Sequence, residues 1–434
     1  MTSIVNRPRE SPWRAVPMDE ADECIRKVAW KMATEKVDVY NGRDIILNGR
    51  IIANPFIAPS DRPESHTSIK DGYAVRSADG MSDRQVVGVS TAGKVYEGEL
   101  KPGECVRIST GAVVPQGADA VIQVEDTVIV EADGDTELRI SIKTEIKTGQ
   151  DIRLPGSETR KGDVLIQAGC VLGSPELGLL GAFGQTKGIE VFKKPTISIF
   201  STGNELVKPS FEGTLPMGAV RDSNSLQLES LLNEFNFRVQ SSQILVDEPE
   251  TIEKALKACE SDVIVTTGGV SMGEKDHMKY VLKERLGLKI EFGRVWMKPG
   301  LPCTLAHGTI DGRPRIVLAL PGNPVSAWVC AHLFVLPLLR IMSGNPRSHP
   351  QKIPVQLGAE IKLGPRPEYC RAVLEYKETE DLPYAHVTGN QLSSRLTSLV
   401  GAHVLLILPS NEKKKVMLEK ERVMAYVVST SFFM

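Results

Sequence analysis

The chain of 434 residues contains no CxxC pair. Its seven cysteines are scattered and keep no regular spacing. That argues against a zinc site and against a disulfide framework, and it predicts reduced thiols in the cytosol. An excess of one charge is missing too. The 52 basic residues against 54 acidic ones leave a net charge of −2, which offers no general footprint for nucleic acid or a membrane surface. No stretch reads as a transmembrane span. The N-terminal MTSIVNRPRESPWR lacks the apolar centre of a signal peptide and reads as a flexible leader. No cysteine–histidine or serine–histidine motif argues for a covalent nucleophile. His277 stands alone and reads as structural. What remains, 41% hydrophobic and 24% charged, is ordinary for a soluble globular protein, and the length suits about three domains.

The chain is organised around residues 261–282, SDVIVTTGGVSMGEKDHMKYVL. Val263-Ile264-Val265 is a short β-branched run, suited to a strand covered on both faces. Gly268-Gly269 permits a sharp turn whose N–H groups can approach a phosphate. Ser271 and Asp276 add a hydroxyl and a carboxylate, and Met278, Val281 and Leu282 carry helical spacing behind them.

Before it, apolar residues Ala21, Cys24, Ile25, Val28, Ala29 and Met32 predict an amphipathic helix over 19–36. Prolines 55, 59 and 63 make the next stretch extended, leading to Lys70-Asp71-Gly72, which also reads as a surface turn. Short alternating runs over 84–150 predict a β-rich unit, with polar loops at Ser109-Thr110-Gly111 and Gly149-Gln150-Asp151. Residues 174–184 read as helix, with Ser174 as N-cap and Pro175 in the first helical position. Strands then alternate with amphipathic helices over 190–342, which predicts a mainly parallel sheet with helices on both faces. Residues 350–428 read as a small barrel or sandwich. The predicted class is a multidomain α/β protein. It has a flexible leader (1–17), a helical and extended linking subdomain (18–46 with 150–188) and an inserted β-rich subdomain (47–149). A doubly wound, mainly parallel α/β subdomain (189–345) and a C-terminal small β-barrel (346–434) follow.

Ligands of open α/β sheets bind beyond the C-terminal ends of the strands. That rule gathers four loops: Ser201-Thr202-Gly203-Asn204-Glu205, the 268–276 loop, Met297-Lys298-Pro299-Gly300 and Pro321-Gly322-Asn323-Pro324-Val325-Ser326. Glu205 and Asp276 suit Mg²⁺, a hard cation shared between carboxylates and phosphate. Lys298 suits an oxyanion. Asn323, Ser271 and Ser326 add an amide and hydroxyls, and from the barrel Arg371 and Ser393 are candidates for an anion. The chemistry suggested is electrostatic: position an anion and a phosphate ester, neutralise both and let them react.

The segments SIKDGYAVRSADG, STGAVVPQGADAVIQVED, GQDIR, STGNEL, RDSN, GGVSMGEKD, FGRVWMKPGLP, LPGNPVSA, RPEYCRA and TGNQLSSRL span nearly the whole chain. Together they resemble the molybdopterin molybdotransferase family: the bacterial MoeA-type enzymes and the E domains of plant proteins and of gephyrin. The likeness looks closest to animal gephyrin-like E domains. The resemblance implies the last step of molybdenum cofactor synthesis. Adenylylated molybdopterin and molybdate are bound, the pyrophosphate link is cleaved with Mg²⁺, molybdenum is placed on the dithiolene sulfurs, and AMP leaves. It also implies an elongated homodimer, held through the linking subdomain, with Asp71, Thr110 and Asp151 facing an intersubunit cleft. Glu205, Asp222 and Asp276 would serve nucleotide and metal, with Gly203, Asn204, Gly268, Gly269, Ser271, Gly322 and Asn323 around the nucleotide. Lys298, Pro299, Ser326, Arg371 and either Ser393 or Ser398 would hold molybdate. Asp222 has a second reading, as cap of the helix that follows it.

Three departures from the family pattern stand out. The N-terminal adenylyltransferase domain fused to animal gephyrin has no counterpart here, which implies a separate upstream enzyme; molybdenum enzymes or carriers would lie downstream. Asp22 occupies the place of an aromatic through which gephyrin holds receptor loops, although Tyr369 of that pocket is kept. Leu301 follows MKPG where bacterial relatives tend to carry a basic residue. The alternative to the enzyme is a scaffold that uses this fold to bind proteins. A further alternative keeps the enzyme and replaces molybdate by tungstate, of the same charge and geometry.

Overall fold

The computed structural model describes residues 12–270 and 277–429. Contacts divide the chain into two units: Met1–Val37, Gly49–Ala53 and Glu190–Met434 form one, and Asp38–Asn48 with Asn54–Ile189 form the other.

The first unit opens with α1 (Met18–Val28). Acidic Asp19 and Glu20 sit in its first turn and Arg26 and Lys27 in its last, the charge order that suits the helix dipole. Its buried face is Ala21, Ile25 and Val28. The helix is eight residues shorter at its C-terminus than the periodicity predicts. Ala29 turns extended, and Thr34–Val37 is a strand. Ala29 and Met32 still pack on the same core from beyond the helix, so the apolar spacing was real but was carried by two kinds of backbone. The stretch just ahead of α1 is seated. Val16 is buried and accepts from Trp296 N–H while donating to Arg294 O. The rest of the expected leader, 1–11, lies outside the described residues.

The second unit is built on a six-stranded sheet. Its strands are β1 (Gly72–Val75), β2 (Asp83–Ser90), β3 (Glu104–Ile108), β4 (Ala120–Gln123), β5 (Thr127–Asp133) and β6 (Thr136–Ile142), in the order β5-β6-β2-β3-β1-β4. β1 is buried throughout. Gly72 is required in it, because a Cβ there would lie 1.9 Å from Ile122 O of the neighbouring strand. Helix α2 (Ser174–Ala182) begins one residue earlier than expected. Gly173, not Ser174, is its N-cap, and Gly173 N–H donates to Glu176 Oε2 at 2.9 Å.

The first unit resumes with β7 (Ile197–Thr202), α3 (Ser223–Glu234), β8 (Val239–Leu245), α4 (Pro249–Ala258) and β9 (Val263–Thr267). After them come β10 (Lys289–Phe292), β11 (Thr304–Ile310), β12 (Arg313–Leu320) and α5 (Pro324–Met342). The sheet order is β8-β7-β9-β12-β11-β10. The first four strands are parallel, and β11 is antiparallel to both of its neighbours, β12 and β10. The predicted sheet is therefore present, with one strand more. β11 is flanked by both neighbours, yet TLAHGTI has too little alternation to announce it. α5 is long and apolar enough to cross a membrane, but 83% of that stretch is buried in this unit, which makes it the core helix.

The chain ends in a closed barrel of β13 (Lys352–Leu357), β14 (Glu368–Glu375), β15 (Tyr384–Val387), β16 (Val404–Leu408) and β17 (Arg422–Val427), ordered β13-β15-β14-β16-β17. None of the seven cysteines is in a disulfide. Burial pushes the thiols of Cys105 and Cys370 up to about 12, so both are poor nucleophiles.

Candidate active site

The loops after β7, β9 and β12 meet at the C-terminal edge of the parallel strands and enclose a cavity of about 470 Å³. Their contact is close. Thr202 Oγ1 donates to Thr267 O at 3.1 Å and Gly268 N–H to Leu320 O at 3.1 Å. Gly268 has φ +87°, and a Cβ on it would lie 2.3 Å from Thr202 O. Both its conformation and its space demand glycine. Gly268→Ala is expected to cost at least about 3 kcal/mol, the left-handed backbone and the forced displacement of Thr202 together. The urea midpoint of unfolding measures it.

Glu205 and Asp247 bring carboxylates to this cavity, and Asn224 an amide. Asp247 was missed by the sequence reading. The signal was available, since Asp247 lies just beyond the C-terminal end of parallel strand β8. It is tied to the expected loop, for its N–H donates to Asn204 Oδ1 at 3.0 Å.

A second cavity, about 330 Å³, shares Pro302, Pro321 and Asn323 with the first. Its polar lining is of the opposite kind: Lys298, Arg366, Asn323, Ser326, Gln391 and Ser393. The barrel contributes because Lys298 is bridged to the start of β14, beside Glu368. Lys298 N–H donates to Pro367 O and Tyr369 N–H to Lys298 O, both at 2.8 Å. The Lys298 ammonium is 3.1 Å from the buried Glu368 carboxylate. Asn323 is the N-cap of α5, and its Nδ2 donates to Ser393 Oγ at 3.1 Å. The positive end of a long helix therefore opens at this cavity, where an anion is favoured.

Two residues expected here stand behind the wall. Arg371 is fully buried, and its guanidinium donates to Ser398 Oγ at 3.0 Å and to Leu392 O at 3.5 Å. Gln391 accepts from Arg371 N–H at 2.9 Å. Arg371 and Ser398 thus prop the loop that presents Gln391 and Ser393, and of the two serines only Ser393 lines the cavity. The guanidinium on the cavity is that of Arg366, whose Nη1 donates to Met297 O at 3.0 Å. Burial, and then the nearby Arg294 charge, lower its pKa, an environment made easier by an anion. Arg366 was within the quoted motif RPEYCRA, but nothing in its spacing separates it from Arg371.

Asp222 lines neither cavity. Its Oδ1 accepts from the N–H groups of Asn224 and Ser225 at 3.0 and 3.1 Å, so the capping reading describes it. Ser271 and Asp276 lie outside the described residues. Asp71, Thr110 and Asp151 belong to the other unit, where they form a group of their own. Thr110 N–H donates to Asp71 Oδ1 and Ile69 N–H to Asp151 O, each at 2.8 Å.

Comparison with known proteins follows the same divisions. Residues 16–184 match the MoeA N-terminal region (domain I and II), 198–341 a probable molybdopterin binding domain, and 354–417 the MoeA C-terminal region (domain IV). A molybdopterin molybdenumtransferase from Nostoc is 33% identical over 402 residues, covering 89% of this chain and 88% of the relative. The chain belongs to the molybdopterin molybdenumtransferase family. Gephyrin of Dictyostelium discoideum is 34% identical over 92% of the chain, which spans only 61% of that longer protein. The crystal structure of the molybdopterin biosynthesis MoeA protein from Pyrococcus horikoshii superposes with a TM-score of 0.77 at 28% identity. It covers 96% of this chain and all of that one. The family membership accounts for both the parallel sheet and the closed C-terminal barrel.

Proposed function

We propose that this molybdopterin molybdenumtransferase family member performs the last step of molybdenum cofactor synthesis. It takes adenylylated molybdopterin and molybdate, places molybdenum on the dithiolene sulfurs and releases AMP. One observation carries the reading: two cavities of opposite character share a wall at the edge of the parallel sheet. Molybdate, a tetrahedral dianion, matches the donors of the smaller one, namely Lys298, Arg366, Ser326, Ser393 and the α5 N-terminus. The larger one has the size and the glycine loops for the nucleotide. Glu205 and Asp247 are hard oxygen donors of the type Mg²⁺ takes alongside phosphate, so the donor set fits that cation. When bound there, Mg²⁺ would withdraw charge from the pyrophosphate oxygens. The chain's own residues hold the two substrates side by side, keep their like charges apart and orient the phosphate link.

The proposal carries with it a homodimer, an upstream adenylyltransferase activity, molybdenum enzymes or carriers downstream, and a place in the cytosol. The scaffold alternative is less favoured. Tyr369, the residue kept from the receptor-loop pocket, is 4% exposed and stacks on Tyr426, while Asp22 is paired with His349 at 3.0 Å.

The test is AMP release by the purified chain given adenylylated molybdopterin and Mg²⁺, with and without molybdate. Release that requires molybdate, with a product that activates an apo-molybdoenzyme, is the expected result. Nucleotide binding without release would favour the scaffold. Arg371→Ala is expected to loosen the 391–393 loop and weaken molybdate binding by about tenfold or more, with nucleotide binding within about threefold. Equal losses, in parallel titrations of the two ligands, would refute the loop-propping role.

A further inference from the structure

Asn224, the second residue of α3, is 8% exposed and lies on the wall of the larger cavity. Its Nδ2 donates to Gly322 O at 2.9 Å. A carbonyl oxygen can only accept, so the amide cannot be turned round. Its main chain is held as well, by the bond from its own N–H to Asp222 Oδ1 at 3.0 Å. The side-chain oxygen is therefore fixed in place, yet Asn224 Oδ1 has no hydrogen-bond partner among the described residues. Buried side-chain oxygens are rarely left without a donor in native proteins. Here the residue that carries the orphaned oxygen lines a ligand-sized space.

We propose that Asn224 is a specificity-determining residue: its Oδ1 accepts a hydrogen bond from a neutral N–H or O–H group of the adenylylated pterin. The inference rests on the substrate assignment above and extends it to one atom. A phosphate oxygen cannot satisfy Oδ1, because it is itself an acceptor. A cation is better served by the carboxylates of Glu205 and Asp247 on the same wall. A neutral donor remains, and among the hydroxyl and exocyclic amino groups of the substrate, to which the proposal is confined, there are three sources of one: the ribose hydroxyls, the adenine amino group and the pterin amino group.

Matched probe pairs identify the source. The whole chain, with Mg²⁺, is titrated calorimetrically with AMP against its 2′-deoxy and 3′-deoxy forms, and with AMP against inosine monophosphate. A third pair is pterin phosphate against lumazine phosphate, in which oxo replaces the amino group. The wild type is expected to prefer the donor-bearing member of one pair by about tenfold or more. Asn224→Ala should reduce that preference to within about twofold. Asn224→Asp keeps an acceptor and loses the bond to Gly322 O. It should bind both members of the pair more weakly and retain the preference, a result that a merely structural role for Asn224 does not produce. Probe binding with no preference in the wild type, or with the same preference in Asn224→Ala, would overturn the proposal and leave the transferase reading in place. Failure of every probe to bind the wild type would overturn both.

Discussion

Glu205→Gln is expected to lower molybdate-dependent AMP release by about 100-fold or more, with the fold unchanged. Glu205 follows β7 at the cavity wall, and its side chain faces solvent. Its structural contribution is made by the backbone, where Glu205 O accepts from Val220 N–H at 2.7 Å. The glutamine keeps the size and that bond but removes the negative charge. On the proposed assignment, losing a carboxylate that would hold the divalent cation removes transition-state stabilisation worth several kcal/mol, which a 100-fold effect (about 2.7 kcal/mol) does not exhaust. Raising Mg²⁺ should recover part of the rate, because the defect is in cation affinity. Asp247→Asn should behave alike. A Glu205→Gln protein that turns over at the wild-type rate would remove this residue from the metal assignment.

The largest expected pH dependence of stability comes from His332, inside α5. Its ring is fully buried between Trp328, at 4.2 Å between centroids, and Phe235, at 6.1 Å. Neither ring nitrogen has a hydrogen-bond partner among the described residues. Burial, and then the Arg340 charge, lower its pKa from 6.5 to about 3. The sign follows from which state binds the proton. Between these values the unfolded chain protonates His332 and the folded one does not. The stability contribution is thus whole above pH 6.5 and is lost progressively as pH falls toward 3. The slope approaches 1.4 kcal/mol per pH unit, or about 2 kcal/mol between pH 6.5 and 5. His332→Leu has no such proton to take up. Urea midpoints followed by tryptophan fluorescence should show the variant losing less stability than the wild type between pH 7.5 and 5. Since no hydrogen bond is sacrificed, its stability at pH 7.5 should be close to wild type. Identical pH dependence in the two proteins would mean that His332 is solvated in the folded state.

Much of the architecture was legible in the chain because its causes are local. β-branched runs such as Val263-Ile264-Val265 make buried strands, and glycines at 268 and 269 make the turn that follows. Alternation of such strands with amphipathic helices leaves few arrangements besides a mainly parallel sheet, and that sheet brings its strand-end loops together. Glu205, Lys298, Asn323 and Ser326, which line the two cavities, are legible in this way. Local signals failed at α1, where apolar spacing continued past the end of the helix, and at β11, which is a strand because two neighbours hydrogen-bond it.

Which polar groups reach the cavities was decided only by tertiary structure. Arg366 and Arg371 are five residues apart with the same charge, as are Ser393 and Ser398 with the same hydroxyl. Closure of the barrel takes Arg371 into the interior against Ser398, 27 residues away, and leaves Arg366 and Ser393 on the wall. Asp247 joins the site because β8 lies beside β7, and Asn224 because Gly322, 98 residues away, fixes its amide. Residue type and short-range periodicity determined the fold and the kind of chemistry. Partners distant in sequence determined which groups line the cavities, because the direction of a buried side chain is set by what it must hydrogen-bond once water is gone.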